Sequence, residues 1–239
     1  MKLFSLCIIL MLLVPSGAWA EEDGSKQRKI LRTSQMVLDE IQKSPDQNIP
    51  MNLISKAKAI IVFPTMFKAG FFVGARYGNG IVSVRSSEVG EWGPPAFLYT
   101  TGGSLGFQFG AEAVDLILLV MSQRGIEGLL NEKFTLGGDI AISAGPVGRH
   151  AEASADVFMQ GEIYSYSRSK GIFSGISLKG TIIASDSDAN LAYYGHPYTA
   201  NEILLTGQVR KVPESGKQFI KIFNKRFNNN PIFNDLKYV

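Results

Sequence analysis

At 239 residues, 45% of them hydrophobic and with a net charge of only +3, the chain can bury one sizeable core, and it has no linker long enough to divide it. Its single cysteine, Cys7, lies in the first twenty residues, so the remainder has no thiol for catalysis, an iron–sulfur cluster or a cysteine zinc site. Charge is uneven: residues 209–239 carry seven cations against Glu214 and Asp235, while the stretch before them is mildly acidic from residue 21, a balance that points to an anionic surface or partner rather than to nucleic acid.

Residues 1–20 read as a secretory signal: Lys2, an apolar run from Leu3 to Val14, then Pro15-Ser16-Gly17 and the cleavage pattern Ala18-Trp19-Ala20. The alternative is an uncleaved anchor, but the run is short for a membrane span and Glu21-Glu22-Asp23 follows at once. Cys7 stands near the start of the run, which argues against a lipoprotein. Export is expected, to the periplasm or the exterior, with peripheral attachment to a membrane compatible with it. Residues 21–239 would then form a single domain stabilised by its core without disulfides.

Ser25 to Lys43 predicts a helix, with Ile30, Leu31, Ser34, Val37, Leu38 and Ile41 on one stripe and Ser44-Pro45-Asp46 as its stop. A short second helix runs from Met51 to Lys56. Ala59 to Phe63 is a continuous apolar run, expected as a buried strand closed by Pro64. Gly78-Asn79-Gly80 between two β-type segments predicts a hairpin turn. Further strands are expected over Ala96–Thr101, Leu105–Ala113 and Asp115–Met121, with Gly102-Gly103 as a turn. A short helix follows over residues 123–131.

Lys133 to His150 reads as a strand, Asp139 to Ala144, between two glycine turns. Ala151–Phe158, Gly161–Arg168 and Gly171–Ser185 continue as strands. Helices return at Asp188–Tyr194, Thr199–Leu205 and Pro213–Phe227. Twenty of the 25 glycines fall between Gly70 and Gly180. The expected class is therefore α+β: a glycine-rich antiparallel β-sheet or barrel-like roll flanked by N- and C-terminal helices.

No catalytic pattern emerges. The glycine-rich Gly102-Gly103-Ser104-Leu105-Gly106 lacks the lysine and spacing of a P-loop, and no G-x-G-x-x-G joins a strand to a helix. Ser174 and Ser177 lie in no complete G-x-S-x-G, and Ser167 to Lys170 matches S-x-x-K only in a loop. His150 and His196 are the only histidines. The carboxylate pairs Glu112 with Asp115 and Glu152 with Asp156 read as solvated strand faces. Asp186 and Asp188 begin like a calcium loop but lack its glycine and closing glutamate, so Asp188 is better read as a helix N-cap. No metal, cofactor or catalytic residue is expected.

Two surfaces could bind. In the helix over residues 213–227, Lys217, Lys221 and Lys225 line one face, and Phe219, Ile220, Phe223 and Phe227 form the other. That apolar side would lie in a membrane interface or pack on the sheet. A second group comprises cations beside glycine turns: Lys56, Lys58, Lys68, Arg76, Arg149, Arg168 and Lys170, where turn N–H groups and a cation together could hold a phosphate.

Several segments together resemble a known family: Ala57 to Pro64, Gly70 to Gly80, Thr101 to Glu112 with Asp115, Phe134 to Asp139, Ala144 to Arg149, Tyr166 to Gly175 and Tyr193-Tyr194-Gly195. In that order they are similar to the SYLF domain, the lipid-binding module also called the yeast-type actin-binding domain family, over about residues 30 to 207. The chain has Trp92-Gly93-Pro94-Pro95 where the family often has Trp-Ser, and no segment reads as a Src-homology-3 or FYVE module. The resemblance implies a non-enzymatic domain that binds anionic lipids, phosphoinositides in eukaryotic members, and actin filaments in some fungal ones. The expected function is binding of anionic lipid headgroups at a membrane surface by the ten cations named above. The alternative is an envelope structural or adhesion-type protein that binds another protein.

Overall fold

The computed structural model describes residues 17–43, 48–71, 73–105, 110–131, 133–148, 161–169, 171–175 and 178–227. Most of the expected leader, the expected strand Ala151–Phe158, the pair Glu152 and Asp156, and the candidate cations Arg149 and Lys170 lie outside the described residues. In chain order the elements are α1 (Gly17–Lys43), α2 (Met51–Lys56), β1 (Ala59–Phe71), β2 (Val73–Val84), β3 (Ala96–Leu105), β4 (Gly110–Val120), α3 (Gln123–Leu130), β5 (Lys133–Thr135), β6 (Ile142–Ala144), β7 (Ile163–Ser169), β8 (Ile172–Gly175), β9 (Ile182–Ser185), α4 (Ser187–Tyr194), α5 (Ala200–Leu204) and α6 (Glu214–Phe227).

The strands form one sheet in the order β5-β9-β3-β2-β1-β4-β7-β6, with β8 added to β7. It curls into a half-barrel with helices from both ends of the chain against it, so the expected α+β class is what forms. Every strand pair is antiparallel except β6 with β7, which runs parallel.

The sheet is buried on both faces at its centre, which explains the unbroken apolar run of β1: with a period of two, both faces must be apolar. Ala59, Ile61 and Phe63 point to the face covered by α3 and α5, together with Val82, Val84, Leu98, Leu116 and Leu118. Ile60 and Val62 point to the opposite face, with Ile81, Phe97, Ile117 and Leu119, under α1, α2, α4 and α6. The two are called the α3 face and the α1 face below. The stripe predicted for α1 is the one buried, through Leu31, Val37, Leu38 and Ile41.

Two buried asparagines attach helices to the sheet. Asn190 of α4 accepts from the Phe97 N–H at 2.8 Å and donates to the Phe97 carbonyl at 3.4 Å. Asn224 of α6 treats Trp92 in the same way, at 2.8 and 3.0 Å. Each side-chain amide offers one acceptor and one donor to the backbone of a single residue, as a neighbouring strand would. Arg85 closes the same region. Its guanidinium donates to the carbonyls of Ile54, Ala57, Gly90 and Phe227, and it lies 4.4 Å over the Trp92 ring. The C-terminal carbonyls of α2 and α6 thus share one cation, the sign of charge that a helix C-terminus favours.

Several local expectations are corrected. Gly78 and Gly80 sit inside β2, not in a turn. They are needed for close approach: a Cβ on Gly80 would stand 2.5 Å from the Phe63 ring, and one on Gly78 would stand 3.1 Å from the Met66 backbone. The β1–β2 hairpin closes instead where Phe71 pairs with Val73. Gly102 and Gly103 likewise continue β3, and Pro64 does not end β1. Leu105–Ala113 is divided between β3 and β4, and Gly171–Ser185 between β8 and β9, which lie in different parts of the sheet. The strand expected from Asp139 shortens to Ile142–Ala144, because Asp139 belongs to a turn in which its carboxylate accepts from the Thr135 N–H at 2.7 Å. Gly137, at φ +75°, makes that turn possible.

Replacing Arg85 with Gln removes the fork that joins two helix ends to the sheet. Urea unfolding is expected to show a loss of about 2–4 kcal/mol, with Lys no substitute because it lacks the planar five-donor geometry.

Candidate functional site

The geometry of the candidate site begins with one extra residue in β1. Five steps along β1, from Val62 to Phe67, oppose four along β2, from Ile81 to Tyr77, and the same excess appears against β4. The insertion is a β-bulge at Pro64-Thr65. Thr65 has φ +64°, the one non-glycine residue with positive φ among the described residues, and a β-branched side chain makes that conformation costly by about 1–3 kcal/mol. Asp115 of β4 holds it, its carboxylate accepting from the Thr65 N–H at 2.9 Å. The same carboxylate accepts from Arg168 Nε at 2.6 Å, and Arg168 also pairs with Glu40 of α1. Burial pushes the Asp115 carboxyl up from the usual range, and the Thr65 N–H opposes that.

Because the pleat has period two, one inserted residue exchanges the two faces. Before the bulge the odd residues of β1 face α3; after it the even ones do, Met66 and then Lys68. Beyond the bulge, β1 to β4 extend past both helical layers as a tongue whose faces differ. On the α1 face the rows are Ala113-Phe67-Tyr77 and Ala111-Ala69-Ala75, all six residues exposed, Phe67 by 60% and Tyr77 by 52%. On the α3 face the row is Glu112-Lys68-Arg76-Gly102.

Lys68 and Arg76 are therefore direct cross-strand neighbours of like charge, an arrangement that disfavours the pair by a few tenths of a kcal/mol up to about 1 kcal/mol. Both are half-buried. Desolvation draws the Lys68 ammonium below the usual lysine range, Glu112 resists the fall and Arg76 adds to it; burial lowers the Arg76 guanidinium as well. Arg76 lies along Gly102 and donates to Thr181 Oγ1 at 3.0 Å. Glu112, the carboxylate beside Lys68, also accepts from Ser169.

The remaining cations are elsewhere. Lys56 ends α2 and Lys58 precedes β1, both exposed at the other end of that strand. Lys58 and Lys68 are ten strand positions apart, about 30 Å. The helix α6 crosses the α1 face from Tyr193, whose hydroxyl meets Ser215 at 2.8 Å, to Arg85 and Trp92. Its Phe219, Phe223 and Phe227 are all at most 2% exposed, each contributing on the order of 2–3 kcal/mol. The apolar stripe is thus core, and Lys217, Lys221 and Lys225 project into solvent, with Lys217 3.8 Å from Glu214. Arg168, on the α1 face, is held between two carboxylates. Among the described residues the candidate cations fall in separate places: Lys68 and Arg76 are neighbours, Lys56 and Lys58 lie at the other end of β1, and the lysines of α6 face solvent on the α1 side.

No group of three or more metal-ligating side chains occurs among the described residues, and no helix there is long and apolar enough to cross a membrane. Asp186, not Asp188, is the N-cap of α4, accepting from the Ala189 N–H at 3.0 Å. Sequence reasoning had no signal for the roles of Asp115, Asn190 and Asn224, since each acts through a contact fifty or more positions away.

A profile of the family described as "Ysc84: Las17-binding protein actin regulator" matches residues 101–226, just over half of the chain. The chain is 33% identical over 189 residues to LAS seventeen-binding protein 3 of Saccharomyces cerevisiae, a match covering 78% of this chain and 40% of that protein. It is 34% identical over 184 residues to Protein YSC84 of the same yeast, covering 76% and 38%. Against SH3 domain-containing YSC84-like protein 1 of Homo sapiens it is 30% identical over 218 residues, covering 90% and 62%. The chain spans about two fifths of the length of these yeast relatives.

The bulge and the cation pair make opposite demands on stability. Asp115→Ala leaves Arg168 and the Thr65 N–H without their shared acceptor and is expected to cost about 3–5 kcal/mol in urea unfolding. Lys68→Gln relieves like-charge repulsion and is expected to leave the midpoint unchanged or slightly higher.

Proposed function

The chain belongs to the Ysc84 (SYLF) family, and from that premise we propose that it binds anionic lipid headgroups at a membrane surface and catalyses no reaction. The observation that carries this reading is the Lys68–Arg76 pair. Two cations are set side by side, half-desolvated, with Glu112 as the carboxylate beside them and Gly102 on the neighbouring strand, where a side chain would otherwise fill the space. An anion would offset their repulsion, and a phosphate supplies the charge and the acceptor oxygens that both side chains match. The relatives are named for binding and regulation, which agrees with a module that works by contact.

A second reading, a protein partner, is favoured by the printed description of the family as Las17-binding and by the solvent-facing lysines of α6. For the leader, residues 1–20, we propose export; the secreted or envelope-bound protein should then begin at Glu21 on N-terminal sequencing, and a mature protein beginning at Met1 would overturn this.

Co-sedimentation with vesicles separates the two readings. Binding is expected to phosphatidylglycerol-containing vesicles at low salt, weaker at high salt, with little to purely zwitterionic ones. Equal binding to both kinds, or to neither, removes the headgroup reading and leaves the protein partner.

A further inference from the structure

The helical layer on the α1 face is where the chain concentrates its positive charge. Residues 24–43 of α1 together with α6 hold nine cations against three carboxylates, which leaves 15 cations against 18 carboxylates for the rest of the chain. Two of those three carboxylates, Asp39 and Glu40, are engaged by Arg226 and Arg168, and the third, Glu214, stands 3.8 Å from Lys217. Lys26, Arg28, Lys29, Arg32, Lys221 and Lys225 are all exposed.

The two helices present those cations as one surface. Arg28 lies within electrostatic reach of Tyr193, whose hydroxyl meets Ser215 at 2.8 Å, and further along Asp39 pairs with Arg226. From Arg28 to Asp39 and from Ser215 to Arg226 the chain advances by the same number of residues, so α1 and α6 run parallel, side by side for about 16 Å. One turn before the ion pair stand Met36 on α1 and Ile222 on α6, 50% and 46% exposed. The surface thus combines cations from both helices with an apolar side chain from each. The Lys68–Arg76 pair belongs to the reverse of the sheet, on the α3 face of the tongue. A helix thickness of about 10–12 Å separates the outer side of α1 and α6 from the sheet, more than the Debye length of about 8 Å at physiological salt. An anionic surface met by one group of cations is therefore screened from the other.

We infer that the chain bridges two anionic lipid surfaces, one held by Lys68 and Arg76 and the other lying across the paired helices α1 and α6. The inference rests on the membrane reading above for the tongue and adds a second contact directed the other way. Charge complementarity calls for an anionic surface at α1 and α6, since nine cations meet only three carboxylates there. Met36 and Ile222 select a bilayer over a nucleic acid, because the acyl boundary accepts apolar side chains and a phosphate backbone does not. A single bilayer would leave one of the two cation groups without its anion, and a second bilayer supplies it.

The test uses the full chain and two populations of phosphatidylglycerol/phosphatidylcholine vesicles, one carrying a donor dye and the other an acceptor. Energy transfer between populations reads bridging, and co-sedimentation reads binding. The protein should cluster the vesicles at low salt, and raising the salt should reverse it. One variant carries Lys68→Gln with Arg76→Gln; the other carries Lys29→Gln, Arg32→Gln, Lys221→Gln and Lys225→Gln, all at exposed positions where glutamine suits a helix as well as lysine does. Each should cut clustering at least tenfold, taking roughly fivefold for each cation near the surface, while co-sedimentation persists through the other surface. All six substitutions together should abolish co-sedimentation. Binding without clustering, or one variant losing all binding while the other clusters normally, would overturn the bridge and leave the membrane reading intact. No binding to any vesicle would remove both. Clustering that follows a dimer already present without vesicles would overturn the bridge in favour of self-association. Absence of clustering with polyglutamate bound, and that binding lost in the four-residue variant, would make α1 and α6 a surface for an acidic protein.

Discussion

The contact between Asp115 and the Thr65 N–H determines more of this molecule than any other single hydrogen bond. It holds a threonine in a backbone conformation that β-branched residues avoid, and so retains one extra residue in the central strand. Upstream of that residue the strand is core on both sides; downstream it leaves the core with its faces exchanged. Through Arg168 and Glu40 the same carboxylate fastens β7 and α1 to the point where the exchange occurs. Strain in β1 is therefore offset by an ion cluster that links α1, β4 and β7.

Around that point the fold is stabilised by two different means. The sheet centre relies on area: alternate residues of β1 and β4 are buried on opposite faces, under separate helical layers. The ends of the strands rely on polar side chains reaching from helices. Asn190, Asn224 and Arg85 satisfy backbone groups at the starts of strands and the ends of helices, where neither sheet nor helix supplies a partner.

Helix periodicity was legible because it depends on residues three and four positions apart: the stripe of α1, the short α2 and the aromatic row of α6 all lie where the apolar spacing puts them. Strand limits were less legible, because glycine carries two meanings that a single sequence does not separate. At Gly137 it does supply a positive φ, whereas at Gly78 and Gly80 it makes room for Met66 and Phe63 on a neighbouring strand. Pro64 reads as a stop, yet it opens a bulge that only Asp115, fifty positions later, can hold. The candidate cations were legible as residue types but not as a group. Whether Lys68 stands beside Arg76 depends on the parity set by Thr65, and Arg168 is engaged by carboxylates that sequence spacing does not bring near it.

The burial of α6 has a consequence for where this domain ends. The family resemblance read from motifs fades near residue 207, and a basic helix after that point looks like an appendage. Yet Phe219, Phe223 and Phe227 fill the α1 face, Asn224 completes the backbone at Trp92, and the last carbonyl of the helix is bound by both Arg85 and the Trp92 indole. A fragment cut at residue 207 would expose Trp92 and take from Arg85 one of its four carbonyl acceptors. The segment in which cations most outnumber carboxylates is thus also one that closes the core.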